Sequence, residues 1–285
     1  KKFEWTSNFN IAFNQNRVTE LAEGQNALLT AAQFDQNFNQ QSSYIAIKGK
    51  SMGTMYGYIY DGTYKLDEFD KSGNTYTLKA NVPHFSGENN TQPGMPKYRD
   101  INGDGVVDSN DCTVIGNGLP THTGGFTNNF AYAGFDLSIF FQWSYGNDIL
   151  NANRLFFESS WNTSRDLNQF ASYANRWTFD NPTSDIPRAI NSASNKVFSS
   201  RIIEDGSFLR LKTLTLGYTL PKAVVTRLHI DNLRVYFAAQ NLFTITDYSG
   251  YDPEVSIRNN ALTPGLDFSA YPRARQFSFG LHIGF

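Results

Sequence analysis

Ten residues constrain this chain more than any others. Across Gln276–Phe285, Phe277, Phe279, Leu281, Ile283 and Phe285 alternate with Gln276, Ser278, Gly280, His282 and Gly284. A strict period of two places one set on each face of a β-strand, one face apolar and the other small or polar. The pattern recurs. Trp5, Ser7, Phe9, Ile11 and Phe13 alternate with Thr6, Asn8, Asn10, Ala12 and Asn14, and Phe126, Phe130 and Tyr132 alternate with Thr127, Asn129 and Ala131. After a tight turn at Ala133-Gly134, Phe135, Leu137, Ile139, Phe141 and Trp143 alternate with Asp136, Ser138, Phe140 and Gln142. Leu214, Leu216, Tyr218 and Leu220 oppose Thr213, Thr215, Gly217 and Thr219, and Val235, Phe237 and Ala239 oppose Tyr236, Ala238 and Gln240. Arg210 and Lys212 fall in the apolar phase of their strand, so they must sit above an apolar band or a bulge must shift the phase.

Composition agrees. Aromatic residues make up 15% of the 285, with 24 Phe and 15 Tyr, yet mean hydropathy is −0.43. Such a chain must interleave greasy and wet positions. No run of ~18 apolar residues is present, so no transmembrane helix is expected; a β-barrel instead spans a bilayer with alternating segments of ~10 residues. A net charge of −2 gives no basic surface for nucleic acid, and the single cysteine, Cys112, forms no intrachain disulfide. The expected fold is all-β, an antiparallel transmembrane β-barrel present as a fragment of about seven C-terminal strands with long extracellular loops. The seventh strand is taken to be Met55–Tyr64, whose phase is less clear. The opening KKFEWTSN has no apolar stretch of signal-peptide type, which also favours a fragment.

The connections alternate between short and long. Those near 62–122, 146–206 and 246–274 are long and rich in Asn, Ser, Asp, Gly and Pro, as expected of extracellular loops. With Phe285 at the periplasmic face, the strands near 233–243, 136–145 and 55–64 run outward. Those near 209–220, 123–132 and 5–14 then run inward. By this count segment 16–43 lies inside and is partly helical.

Asp100–Asp111 reads DINGDGVVDSND. Oxygen-bearing side chains at Asp100, Asn102, Asp104, Asp108 and Asp111, glycine at Gly105 and a carbonyl at Val106 follow the spacing that wraps a hard cation such as Ca²⁺. Asp111 stands where such loops carry Glu, which weakens bidentate binding. The ion would be structural; the alternative is a solvated turn held by Asx hydrogen bonds. Gly49-Lys50-Ser51-Met52-Gly53 matches the nucleophile-elbow pattern but lacks the following helix that chemistry requires. No enzyme and no organic cofactor are expected. Trp161, Trp177, Tyr248, Tyr251 and Tyr271 lie in or beside the long loops, where rings can stack on sugars, form an interfacial girdle or pack the loops.

The strings KYRDINGDGVVD (97–108), TGGFTNNFAYAGFDLSIFFQWSYGNDI (123–149), RWTFDNPTSDIPR (176–188), SRIIEDGSFLRLKTLTLGYTLP (200–221), QNLFTITDYSGYDPEV (240–255) and YPRARQFSFGLHIGF (271–285) together resemble the C-terminal region of SusC/RagA-type TonB-dependent transporters. The resemblance implies the last part, 1–285, of a 22-stranded barrel in the outer membrane of a Gram-negative bacterium of Bacteroidota type. The plug, TonB box and earlier strands would lie elsewhere. It also implies import of nutrients, mostly oligosaccharides, driven through TonB, ExbB and ExbD, with a SusD-like surface lipoprotein as lid. Phe277, Phe279, Leu281, Ile283 and Phe285 resemble the signal read by the outer-membrane assembly machinery. A calcium-stabilised, surface-exposed β-rich glycan-binding protein without transport is the alternative, and a passive porin-like barrel a third possibility.

Overall fold

The computed structural model describes residues 2–38, 41–160, 167–257 and 260–285. Six strands form one antiparallel sheet: β1 (Glu4–Phe13), β2 (His122–Tyr132), β3 (Phe135–Tyr145), β4 (Phe208–Thr219), β5 (Asn232–Thr246) and β6 (Gln276–Gly284), neighbours in that order. Directly paired residues share a face, so the register shows where each alternating set goes. Phe9 pairs with Phe126, Phe126 with Phe141, Ile139 with Leu214, Leu216 with Phe237 and Phe237 with Phe279. The apolar sets therefore fuse into one face, interrupted by Ser7 and Asn128 where Asn128 accepts from the Trp5 indole, and Thr6, Asn129, Ser138, Thr215, Ala238 and Ser278 run across the other. Phe9 is 62% exposed and Phe279 82%, so the greasy face is bare.

β2 and β3 are joined by Ala133 and Gly134, with φ of 51° and 93°. Two consecutive positive φ values match the right-handed twist of the flanking strands, and glycine supplies the second without strain. A bulge resolves the misplaced cations. On β4 the register skips Lys212: Leu211 pairs with Phe141 and Phe243, and Thr213 with Phe140 and Gln240. Leu209 and Leu211 thus join the apolar face, and Arg210 joins the polar one beside Gln142 and Thr244.

Three expectations are corrected. The run at Met55–Tyr64 is not a seventh strand of this sheet. It breaks into Thr54–Gly57, which pairs with Ser42–Ile47 and Thr113–Asn117, and Tyr60–Thr63, which pairs with Pro96–Tyr98. Gly57 has no room for a Cβ against the Phe198 carbonyl, and the tyrosine rings at 58 and 60 pack on Tyr98. Among its described residues, segment 16–43 has no helix; it contributes the strands Ala27–Ala31 and, from residue 42, Ser42–Ile47. Because β1 pairs directly with β2, residues 14–121 form a single connection at one end of the sheet, and β1 runs opposite to the expected direction.

That end also carries 146–207 and 247–275, whereas the short links at 133–134 and 220–231 lie at the other. The buried core sits among the long connections. One cluster gathers Phe38, Tyr44, Met55, Leu155, Phe198 and Leu266; another, Tyr64, Phe69 and Met95; a third, Phe85, Tyr98 and Val107. The long connections are thus a packed loop domain with hydrophobic cores of their own. Among the described residues, no helix is long and apolar enough to cross a membrane.

Candidate functional site

Beyond β3, Gly146 turns the chain into the strand Asp148–Asn151. This pairs antiparallel with Ile203–Asp205 and parallel with Leu266–Asp267, tying two long connections together. A short helix, Asn153–Phe157, follows. These elements enclose a cleft of about 1100 Å³ lined by Asn151, Arg154, Glu158, Glu204, Tyr251, Asp267 and Tyr271, among others. That is at the upper end of the ~300–1,000 Å³ usual for small-molecule clefts.

The floor of the cleft is charged and internally matched. Glu158 accepts from Arg154 Nε at 2.8 Å, Arg201 Nη2 at 2.7 Å and Ser172 Oγ at 2.7 Å. Burial pushes its carboxyl up, but the two guanidiniums and the hydroxyl outweigh burial and hold it below its ordinary range. Burial draws the Arg201 guanidinium down from its ordinary value. Glu204 accepts from Asn151 Nδ2 at 3.0 Å and from the amide and hydroxyl of Ser249 at 2.8 and 2.9 Å. Asp267 Oδ2 accepts from the Tyr248 hydroxyl at 2.5 Å, and burial together with this carboxylate drives the phenol's pKa upward. Such a floor gives a rigid binding surface.

The five ring candidates separate. Tyr251 and Tyr271 are 87% and 92% exposed and both line the cleft. Tyr248 is 5% exposed and its hydroxyl is committed to Asp267, so it packs beneath the cleft instead of offering a stacking face. Trp177 is 2% exposed, pressed on Gly94, where a Cβ would come within 2.3 Å of the ring, and its other face meets Arg188; it is a packing residue. Trp161 lies outside the described residues. Missing from the sequence-level candidates were Arg154, Glu158, Glu204 and Asp267, which are spread over the chain and united only by loop pairing.

A second cluster anchors the loop that carries Tyr251. Arg210, 2% exposed, donates to Asp252 at 2.5 Å, Glu254 at 3.1 Å and Thr244 Oγ1 at 3.0 Å. Lys212 and Arg273 reach Glu254 at 3.3 and 3.4 Å. Arg210 and Lys212 thus both reach Glu254, and Arg210 reaches Asp252 as well.

In the acidic loop the side chains serve the backbone. Asp100 accepts from the amides of Gly103 and Gly105 at 2.6 and 2.8 Å, Asn102 from Asp104 at 2.9 Å, Asp104 from Val106 at 2.9 Å and Asp108 from Asn110 at 2.7 Å. Asp111, fully buried, accepts from Ile101 at 2.7 Å and Asp108 at 2.9 Å. Burial raises its carboxyl's pKa, but these amides outweigh burial and lower it overall. No grouping of three or more His, Cys, Asp or Glu placed to hold a metal occurs among the described residues. The oxygen donor set nonetheless suits a hard cation at Asp100, Asp104 and Asp108, where an oxygen bonded to one amide keeps a lone pair, whereas Asp111 Oδ1 already accepts from both Ile101 and Asn102 and has only Oδ2 to share. Ser51 hydrogen-bonds Asn16 Oδ1 and the Met52 carbonyl, between two strands, so the elbow-like motif has neither base nor helix.

A two-faced antiparallel sheet with open edges, a cored loop domain and a cleft at one end defines an all-β class of chain, of the kind found as a piece of a β-barrel. No protein-family model matches the chain. It is 34% identical over 99% of its length to TonB-dependent receptor P3 of Formosa agariphila, and 25% identical over its whole length to TonB-dependent receptor SusC of Bacteroides thetaiotaomicron. It spans 27% and 25% of those proteins. Among solved structures it is similar over its full length to the RagAB peptide transporter, with a TM-score of 0.73 and 24% identity. It is also similar to the RagAB peptide importer in a closed-closed state, at 0.71 and 25%, covering 28% of each chain. The chain is thus homologous over its whole length to TonB-dependent receptors, SusC among them, and homologues of this kind are outer-membrane proteins of Bacteroidota.

Proposed function

We propose that this chain forms part of the wall and the extracellular loops of an outer-membrane β-barrel that imports oligosaccharides with TonB-supplied energy. The observation that carries this reading is the bare apolar face and its aromatic borders. At the short-turn end lie Trp5, Phe130, Tyr132, Phe135 and Tyr218, with Trp5 stacked on Phe130 and Phe135 against Tyr218. At the loop end lie Phe13, His122, Trp143 and Tyr145, with His122 stacked on Tyr145. Between them, from Tyr132 to His122, a strand rising ~3.4 Å per residue with a tilt of ~40° climbs roughly 26 Å, close to the ~25 Å apolar band of outer-membrane barrels. Short turns then face the periplasm, and all three long connections, segment 16–43 included, face outward. β1 and β6 are both open edges of the sheet, which the rest of a barrel would pair.

A SusD-like lipoprotein would cover the loop domain, TonB, ExbB and ExbD would act through the remainder of the receptor, and the assembly machinery would read Phe277, Phe279, Leu281, Ile283 and Phe285. In the loop domain, Asp100, Asn102, Asp104, the Val106 carbonyl, Asp108 and Asp111 would hold a structural Ca²⁺. The calcium reading predicts terbium luminescence on addition of Tb³⁺, displaced by Ca²⁺ and lost in Asp104→Ala; an unchanged signal in that variant removes it. The importer reading is tested by uptake of labelled oligosaccharide in cells with and without TonB and the lid protein. Uptake that persists without TonB overturns it.

A further inference from the structure

We infer that Tyr251 and Tyr271 form the aromatic walls of a sugar-binding subsite in the loop cleft, and that Arg210 and Asp252 are its positioning residues. This deepens the importer reading and rests on it for the outward orientation of the cleft. Two nearly fully exposed rings would normally sit on mobile loop tips. Here a single carboxylate fixes both. Asp252, 4% exposed, accepts from the Glu254 amide at 2.9 Å and Arg210 at 2.5 Å through Oδ1, and from the Arg273 amide at 2.8 Å through Oδ2. Tyr251 immediately precedes this carboxylate, and Tyr271 lies two residues before the amide it holds. Arg210 carries the constraint down to the sheet, where Thr244 of β5 also grips it. The backbone beside each ring is therefore tied to the sheet before any ligand arrives, which lowers the entropy lost in ordering these loops on binding.

The chemistry of the cleft selects the ligand. Its charged groups are already spent on each other: Arg154 on Glu158 and Glu204, and Asp267 on Tyr248. A charged ligand would have to break these pairs. What remains on offer is ring faces, phenolic hydroxyls and the amide of Asn168, with Gln169 beside it already donating to the Ser159 carbonyl at 3.0 Å. An uncharged pyranose presents the complement, an apolar C–H face for a π-surface and a rim of hydroxyls for amides.

The experiment uses the intact receptor that carries this chain, purified in detergent with its lid protein. It is titrated calorimetrically with short neutral oligosaccharides released from starch, laminarin, xylan and mannan, with an uncharged peptide of similar size in parallel. At least one sugar binds, and Tyr251→Ala or Tyr271→Ala weakens it about tenfold, while Tyr251→Phe and Tyr271→Trp restore most of the affinity. Asp252→Asn weakens the same sugar severalfold without altering heat-modifiable migration, a split that a purely structural role would not produce. If Asp252→Asn fails to assemble, Glu254→Gln, which loosens Arg210, Lys212 and Arg273 together, gives the same loss at smaller amplitude. The subsite is overturned if no sugar binds, if only the peptide binds, or if both alanine variants bind sugar normally. The positioning role is overturned if Asp252→Asn and Glu254→Gln bind normally while the tyrosine variants do not. Uptake independent of TonB would sink the importer reading and leave these binding results intact, so the two failures are distinguishable.

Discussion

Asp148 is a carboxylate placed against its own interest. Burial raises its pKa, the Asn117 amide, donating to Oδ2 at 2.7 Å, pulls it back, and Asp205 directly across the strand pair raises it further. A raised folded-state pKa means that ionisation costs stability above the unfolded value, and the cost disappears as the pH falls below ~4. Asp148→Asn keeps an acceptor for Asn117 and removes the like-charge opposition. It should raise stability by about 0.2–1 kcal/mol at neutral pH, with the gain fading in acid; a midpoint that falls in urea at neutral pH counts against this. Asp252 has the opposite sign. Burial lifts its pKa, but Arg210 and the amides of Arg273 and Glu254 bring it below the ordinary value. Its contribution is complete above ~4 and is lost as pH falls through the depressed pKa. Hydrogen exchange in 247–275 should therefore stay slow at ~pH 5 and rise only below ~4. Opening nearer neutrality would show that Asp252 is not the clasp.

A strand is a local habit, but its partner is not, and β4 shows the consequence. Its sequence carries two cations in the apolar phase, and the extra residue at Lys212 corrects the phase over half the strand. Deleting Lys212 should remove the bulge yet leave Arg210 on the polar face with Asp252, because Leu211 and Thr213 then alternate directly, and heat-modifiable assembly should persist. Lys212→Ala, which keeps the bulge, should also assemble normally; loss of assembly in the deletion alone would refute the view that Lys212 serves only as the extra residue that corrects the phase. The need for a bulge was legible, because Arg210 and Lys212 violate a period that Leu214, Leu216 and Tyr218 obey. Its location was not, since that depends on Phe140 and Phe141 across the pair. Likewise MYGYIYDGTY has the aromatics of a membrane strand, but the rings at 58 and 60 pack on Tyr98, and that at 58 on Phe85, inside the loop domain. Only its weak alternation hinted at this, and mistaking it for a sheet strand reversed the expected direction of β1. The cleft was half legible. Tyr251 and Tyr271 stand out as loop aromatics, but Glu158, Glu204 and Asp267 meet through a three-strand pairing with no local signature.

At the scale of the molecule, two solvents are divided between two ends. The loop domain buries Trp177, Tyr44 and Phe38 as a soluble protein would, whereas the sheet leaves Phe9, Phe135 and Phe279 bare. In water such a surface would aggregate; in lipid it is the stable arrangement. The two environments give a depth-dependent prediction along one strand. On β3, Phe135 lies in the short-turn girdle, Ile139 at mid-height and Trp143 in the loop-end girdle, all on the apolar face, whereas Ser138 faces the other way. An arginine at mid-height must lose its hydration, whereas one near a girdle can reach the headgroups. Ile139→Arg should therefore cost about 2–4 kcal/mol and Phe135→Arg roughly 0–1 from its charge. Ser138→Arg, pointing to the polar side, should carry no such charge penalty despite being adjacent in sequence to the mid-height site. Reversible unfolding of the receptor in lipid vesicles measures all three. Equal costs at Ser138 and Ile139 would mean that the apolar face is not in contact with lipid, and the wall reading would fall with it. The same series in the loop domain has no depth axis: Phe38→Arg there should be severe for loss of packing alone, regardless of the lipid used.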